Sequence, residues 1–205
     1  MQLIGILGGT FDPVHYGYLL MAETCREQLD LEEVRLIPAG DPPHKPDQKI
    51  TDGHARCDMV QLAVSGYPEF VVDRREIRRT GPSYTVDTLR EFREQDPEHE
   101  LFLIIGADSL EQFLTWRTPE EIARLATIVA VNRPTQPELT RAQVEAWVGP
   151  DIAARVQVVS MPGSDLASSD LRSRLAAGRS LRFMTPKAVE AYIQQHAIYG
   201  QTAAT

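Results

Sequence analysis

The sequence predicts an α/β fold, a parallel sheet with helices on both faces. Three observations predict it. Short runs rich in Val, Ile and Leu recur along the chain, and segments with helical spacing of apolar residues separate them. Glycine or proline closes several of the runs. The 205 residues, 42% of them hydrophobic and 24% charged, are enough to bury a sizeable core, so residues 1–205 are expected to form a single domain.

The elements follow in order. Residues 3–7 are an apolar run closed by Gly8-Gly9, as suits a buried strand. Residues 16–31 carry Leu19, Leu20, Ala22, Cys25 and Leu29 at helical spacing. A second strand, 34–37, stops at Pro38, and a helix over 55–64 follows through Met59, Leu62 and Ala63. Residues 70–72 form a third strand. The turn Gly81-Pro82 precedes a helix at 85–93, and 101–105 is the most strand-like run of all, bounded by Gly106. A short helix spans 119–125, with proline in its first turn. Strands at 128–131 and 156–159 flank a polar stretch in which Thr140 is placed to cap a helix over 141–148. Residues 166–172 lead into a helix ending near Ala177, with Gly178 at its C′ place, inside a C-terminal helical part of about 165–200. The polar, proline-containing stretch 41–53 has the length of a binding loop.

Composition excludes several classes. No apolar run approaches the roughly 18–20 residues that span a bilayer. The two cysteines, Cys25 and Cys57, are far apart and form no CxxC pair, so a disulfide scaffold or zinc–thiolate centre is not expected and a cytoplasmic setting is. The net charge of −8 argues against nucleic-acid or anionic-membrane partners. A small anionic substrate stays open, because two arginine groups stand out: Arg74, Arg75, Arg78 and Arg79, and the stretch from Arg172 through Arg174, Arg179 and Arg182 to Lys187.

Two segments carry the chemistry. In the first, a strand ends at Gly8-Gly9, runs through Thr10, Phe11, Asp12 and Pro13, and enters a helix at His15. The glycines allow a ligand close to the backbone, and ligands of open parallel sheets sit at the carboxyl ends of strands, near helix N-termini. Neither GxGxxG nor GxxxxGK[ST] is present, which disfavours a dinucleotide dehydrogenase or a P-loop NTPase. In the second, Ser168 and Ser169 precede a helix bearing Arg172 on its first turn, a combination that serves equally as a simple cap or as a phosphate seat.

The segment GGTFDPVHYG resembles the signature of the nucleotidylyltransferase superfamily, and within it the bacterial nicotinate-nucleotide adenylyltransferases most closely. The resemblance implies a doubly wound, Rossmann-like fold of nucleotidylyltransferase type. It also implies a reaction in which ATP and nicotinate mononucleotide give nicotinate adenine dinucleotide and pyrophosphate. The late segment resembles the family's Ser-Ser/Ala-Thr-x-x-Arg motif, with Ala167 in place of the first Ser, Ser169 in place of Thr, and Arg172 as the Arg. Further motifs sit in family order at Pro42-Pro43-His44-Lys45, Gly81-Pro82-Ser83-Tyr84-Thr85, Ile105-Gly106-Ala107-Asp108 and Thr115-Trp116-Arg117.

The resemblance implies a role for each. Gly8, Gly9, Thr10, Phe11, His15, Tyr18, Gly106, Asp108, Arg133, Ser168, Ser169 and Arg172 would bind ATP. His44, Lys45, Tyr84, Thr85, Trp116 and Arg117 would hold nicotinate mononucleotide, with the pyridine ring on the Trp116 indole. His15, Arg172 and Tyr18 would be catalytic. No protein metal cage is expected, and magnesium would arrive on the ATP phosphates. The family has a second histidine where this chain has Tyr18, a position three residues after His15 and hence on the same helix face. A tyrosine donates one hydrogen bond but carries no positive charge, so slower turnover is expected. Two rival functions stay open, a nucleotide-binding sensor and another small adenylyltransferase such as the phosphopantetheine type. A homo-oligomer is also left open.

Overall fold

The computed structural model describes residues 1–42, 50–132 and 139–200. Its strands are β1 (Leu3–Gly9), β2 (Glu33–Pro38), β3 (Phe70–Val72), β4 (Glu100–Gly106), β5 (Thr127–Asn132) and β6 (Val156–Ser160). They form one all-parallel sheet in the order β3-β2-β1-β4-β5-β6. The helices are α1 (Tyr16–Gln28), α2 (Gly53–Ala63), α3 (Arg75–Arg78), α4 (Thr85–Gln95), α5 (Ala107–Glu111), α6 (Pro119–Leu125), α7 (Arg141–Ala153), α8 (Ser168–Ala176) and α9 (Lys187–Gln195). This is the doubly wound arrangement. The chain winds outward from β1 to β3, then returns to the centre and winds the other way from β4, so the order reverses between β1 and β4.

The side-chain period of two explains the layering. Leu101, Leu103 and Ile105 of β4 pack on one face of the sheet, Phe102 and Ile104 on the other. Ile128 and Ala130 of β5 divide from Val129 and Val131 in the same way. Each face is therefore apolar and needs a helical cover. Buried residues of α4, α5, α6 and α7 cover the face of Leu101, Leu103 and Ile105, and those of α1, α2, α8 and α9 the face of Phe102 and Ile104.

The structure adds detail to several expected elements. Asp52 caps α2 by accepting from the His54 and Ala55 N–H groups. Thr140 and Gln143 form a capping box on α7. That helix does not stop at 148. Gly149 adopts a left-handed backbone (φ 77°), and Pro150 starts another turn that reaches Ala153. The short helices α3 and α5 were not foreseen. In the arginine group Arg74 to Arg79, carboxylates compensate Arg74, Arg75 and Arg79. Arg74 pairs with Asp58 at 2.7 Å, Arg75 with Asp73 at 2.8 Å and Arg79 with Glu91 at 2.6 Å. Among the described residues, no helix is long and apolar enough to cross a membrane.

Candidate active site

β1 delivers the chain to the point where the sheet order reverses. A Cβ on Gly8 would meet nothing within 4 Å, so the backbone there lies open to a ligand. Phe11 turns the chain in a left-handed conformation (φ 49°), a strained geometry for a bulky residue, with its ring fully buried 4.6 Å from that of Tyr18. His15 follows as the extended N-cap of α1 and is buried. Its imidazole lies over Gly17, where a Cβ would come within 2.9 Å of Nδ1. The His-x-Gly spacing thus has a steric cause. Any larger residue at position 17 would displace the ring. Tyr18 adjoins it, ring centroids 4.6 Å apart and 32° from parallel. The first amide of α1 is already used, since the Tyr16 N–H donates to the Met184 carbonyl at 3.0 Å.

The late segment meets this turn. The N-cap of α8 is Ala167, so Ser168 does not cap the helix. Its hydroxyl donates instead to the Pro13 carbonyl at 2.9 Å. Arg172 Nη1 donates to the Asp12 carbonyl at 2.7 Å. Thr10, His15, Tyr18, Ser168, Ser169 and Arg172 line one cavity of about 330 Å³. Ser164 lines it too. Its buried Oγ has no hydrogen-bond partner among the described residues, and the sequence reading passed over it.

A second cavity, of about 350 Å³, lies against the first, and Thr10, Tyr18 and Met21 line both. Its walls include Gly8, Gly9, Thr85, Gly106, Asp108 and Trp116. Gly106 and Asp108, expected with the ATP group, therefore stand in the same cavity as the indole. The Asp108 carboxylate folds back over Gly106, where a Cβ would collide with Oδ1. Trp116 is half-buried, its ring 5.3 Å from Phe113. Tyr84 is the N-cap of α4. The Arg117 guanidinium rests 4.6 Å over the Tyr84 ring and 3.7 Å from Asp87, at the edge of the α4 start that carries Thr85. His44, Lys45 and Arg133 lie outside the described residues.

Two buried polar groups that the sequence reading missed hold these walls. Arg56 is 1% exposed. It donates to the carbonyls of Thr10 (2.8 Å), Ala39 (2.7 Å) and Thr51 (2.8 Å), joining the ends of β1 and β2 to the entry of α2. Its only signal in sequence is an arginine among the apolar residues Cys57, Met59 and Val60. Asp12 is buried as well, and its carboxylate accepts from the Thr51 N–H at 3.3 Å and the Tyr199 hydroxyl at 2.5 Å. Burial, with the Asp12 carboxylate beside it, pushes the Tyr199 phenol well above its ordinary range, which keeps it a donor. Among the described residues, no group of three or more His, Cys, Asp or Glu is placed to hold a metal ion.

An imidazole, a guanidinium and five hydroxyls around one cavity suit a polyanion. An indole face beside a helix start suits a flat, electron-poor ring bearing a carboxylate.

Comparison with known proteins adds independent observations. Residues 6–174 match the cytidylyltransferase-like family model. A probable nicotinate-nucleotide adenylyltransferase of Thermomicrobium roseum is 42% identical over 97% of this chain and 92% of its own length. One from Thermus thermophilus is 43% identical, over 96% of this chain and 98% of its own. Among solved structures, the Plasmodium falciparum nicotinic acid mononucleotide adenylyltransferase complexed with NaAD superposes with a TM-score of 0.80 over 100% of both chains, at 15% identity. A putative nicotinate-nucleotide adenylyltransferase of Vibrio parahaemolyticus gives 0.70 over 99% of this chain and 98% of its own, at 19% identity. At these identities the structural likeness is one of fold.

Proposed function

Because the chain belongs to the cytidylyltransferase-like family, and within it to the nicotinate-nucleotide adenylyltransferases, we propose that it transfers the adenylyl group of ATP to nicotinate mononucleotide. The products are nicotinate adenine dinucleotide and pyrophosphate, in the biosynthesis of NAD. One observation carries the reading from the side of geometry. Two segments about 160 residues apart in sequence meet around one anion-suited cavity, and that cavity adjoins a compartment bearing an indole. A two-substrate transfer needs two adjoining compartments with the reacting phosphates at their junction.

We assign the triphosphate to the cavity of Thr10, His15, Ser168, Ser169 and Arg172, with the Ser164 hydroxyl an added donor. The nicotinate ring goes to Trp116, with its carboxylate at the α4 start near Thr85, framed by Tyr84 and Arg117. Asp108 lies within the mononucleotide compartment as an acceptor for ribose hydroxyls. His44 and Lys45 are assigned to the mononucleotide phosphate and Arg133 to the adenosine side on the family pattern alone. The nucleotide enters as its magnesium complex, the cation being part of the substrate. Residues 1–205 act as one domain whose C-terminal part supplies the second phosphate segment. The setting is cytoplasmic, in keeping with the two free cysteines, and the partners are small molecules.

The chemistry is an in-line displacement. A phosphate oxygen of the mononucleotide bonds to the α-phosphorus, the bond from that phosphorus to the bridging oxygen breaks, and the electron pair leaves with pyrophosphate. A phosphate monoester is already a nucleophile, so no covalent enzyme intermediate is needed. The protein contributes position and charge neutralisation. Arg172 is oriented by its bond to the Asp12 carbonyl, and His15 by the space above Gly17.

The test is pyrophosphate release from ATP with nicotinate mononucleotide, nicotinamide mononucleotide or phosphopantetheine as acceptor. Release should be fastest with nicotinate mononucleotide. Release with phosphopantetheine alone would move the protein to another branch. Calorimetric ATP binding without release for any acceptor would make it a sensor.

A further inference from the structure

Seven large apolar side chains are exposed among the described residues, and four of them, Tyr16, Leu62, Tyr67 and Phe183, stand on one surface. A contiguous apolar patch of this kind marks an interaction site. Tyr16 joins two hollows within it. One is a groove of about 570 Å³ between α1 and the end of α2, beside the edge strand β3, and Leu19, Leu62, Val64 and Phe70 line it. The other surrounds Phe183. That ring is 86% exposed on a left-handed backbone (φ 65°), a geometry that costs a bulky residue and persists only where the flanking chain enforces it. Here the flanks are fixed. Leu181 and Thr185 are buried, the Thr185 hydroxyl donates to the Val14 carbonyl at 2.8 Å, and the Met184 carbonyl accepts from the Tyr16 N–H at 3.0 Å. Phe183 is therefore a rigid apolar knob next to an apolar groove.

The charges around the two are opposite. Two acids and one base line the groove: Glu23, which Arg26 neutralises at 2.8 Å, and Glu69. Two bases and one acid surround the knob: Arg182, Lys187 and Glu190. A foreign partner would need only one of these features. Knob and groove on one chain, contiguous and of opposite sign, are what a self-complementary face requires.

We infer that this face pairs two copies of the chain about a two-fold axis near Tyr16, each Phe183 entering the groove of the other. The ring, already held outward, loses little freedom on docking. Arg182 of each copy faces the partner's Glu69 at the rim. An isologous contact of this kind closes at two copies. The inference is independent of the reaction the chain catalyses.

Sedimentation equilibrium of the whole chain should show a species of twice the chain mass that dissociates on dilution. Phe183→Asp should weaken the association at least about 30-fold, the loss of one buried aromatic anchor. Arg182→Glu or Glu69→Arg alone should also weaken it. The two together in one chain should restore it, because both rim contacts then re-form with their signs exchanged. A wild-type chain that stays monomeric at about 100 μM, an association untouched by Phe183→Asp, a double variant no tighter than its singles, or growth past two copies would each overturn the inference. The rim exchange leaves the apolar contacts in place, so it decides the matter even where Phe183→Asp fails to fold.

Discussion

Tyr18 stands at the junction of both cavities, its ring between those of Phe11 and His15. A neutral phenol there lacks the positive charge of a protonated imidazole at the reacting phosphates. Tyr18→His should raise turnover, by up to about 10²–10³ if the imidazole gains one transition-state contact. Steady-state kinetics with both substrates would show it, and an unchanged kcat would mean that the tyrosine serves as well. His15, Tyr18, Ser168 and Arg172 were legible because each sits in a spaced motif. Arg56 and Ser164 were not. A single buried polar residue has no periodicity, and its partners come from loops far away in the chain. Asp108 was expected with the ATP group, yet it lines the Trp116 cavity, because its place depends on how the carboxylate folds over Gly106.

The bounds of β3 and α6 were read from the sequence as they stand, whereas α7 runs past its expected end at 148 through the Gly149-Pro150 bend. The helices α3 and α5, of 4 and 5 residues, are too short to display a helical period. The ends of elements are governed by tertiary bonds. Ser168 has the chemistry of a cap, yet the Pro13 carbonyl claims its hydroxyl. Arg56 shows how far such bonds hold the loops. Arg56→Met would remove the guanidinium from the Thr10, Ala39 and Thr51 carbonyls, at a cost of about 1–3 kcal/mol for each buried bond that nothing replaces. Chemical denaturation should show a loss of about 3 kcal/mol or more by that reckoning. A loss below about 1 kcal/mol would show that the loops stand without it.

The alternation of strands and helices foretold the sheet, but not its order, and the site depends on the order. Placing β1 beside β4 brings Gly8-Gly9 next to Gly106 and opens the crevice that both cavities share. The closure around it spans the chain, since Tyr199 donates to Asp12 across 187 positions. Tyr199→Phe removes that hydroxyl alone. A bond to a charged group is worth about 1.5–3 kcal/mol, so unfolding should come correspondingly earlier in denaturant. The KM for ATP should rise more than that for nicotinate mononucleotide, because Asp12 borders the Arg172 cavity. Equal KM values for variant and parent would detach the C-terminal turn from nucleotide binding. The same long-range bond orders events in biosynthesis. A nascent polypeptide on the ribosome displays its glycine turn early, but the residue that anchors it is translated 187 positions after Asp12. The bond that steadies the turn therefore forms only once Tyr199 has been made, so a nascent chain carries the turn for a time without that anchor.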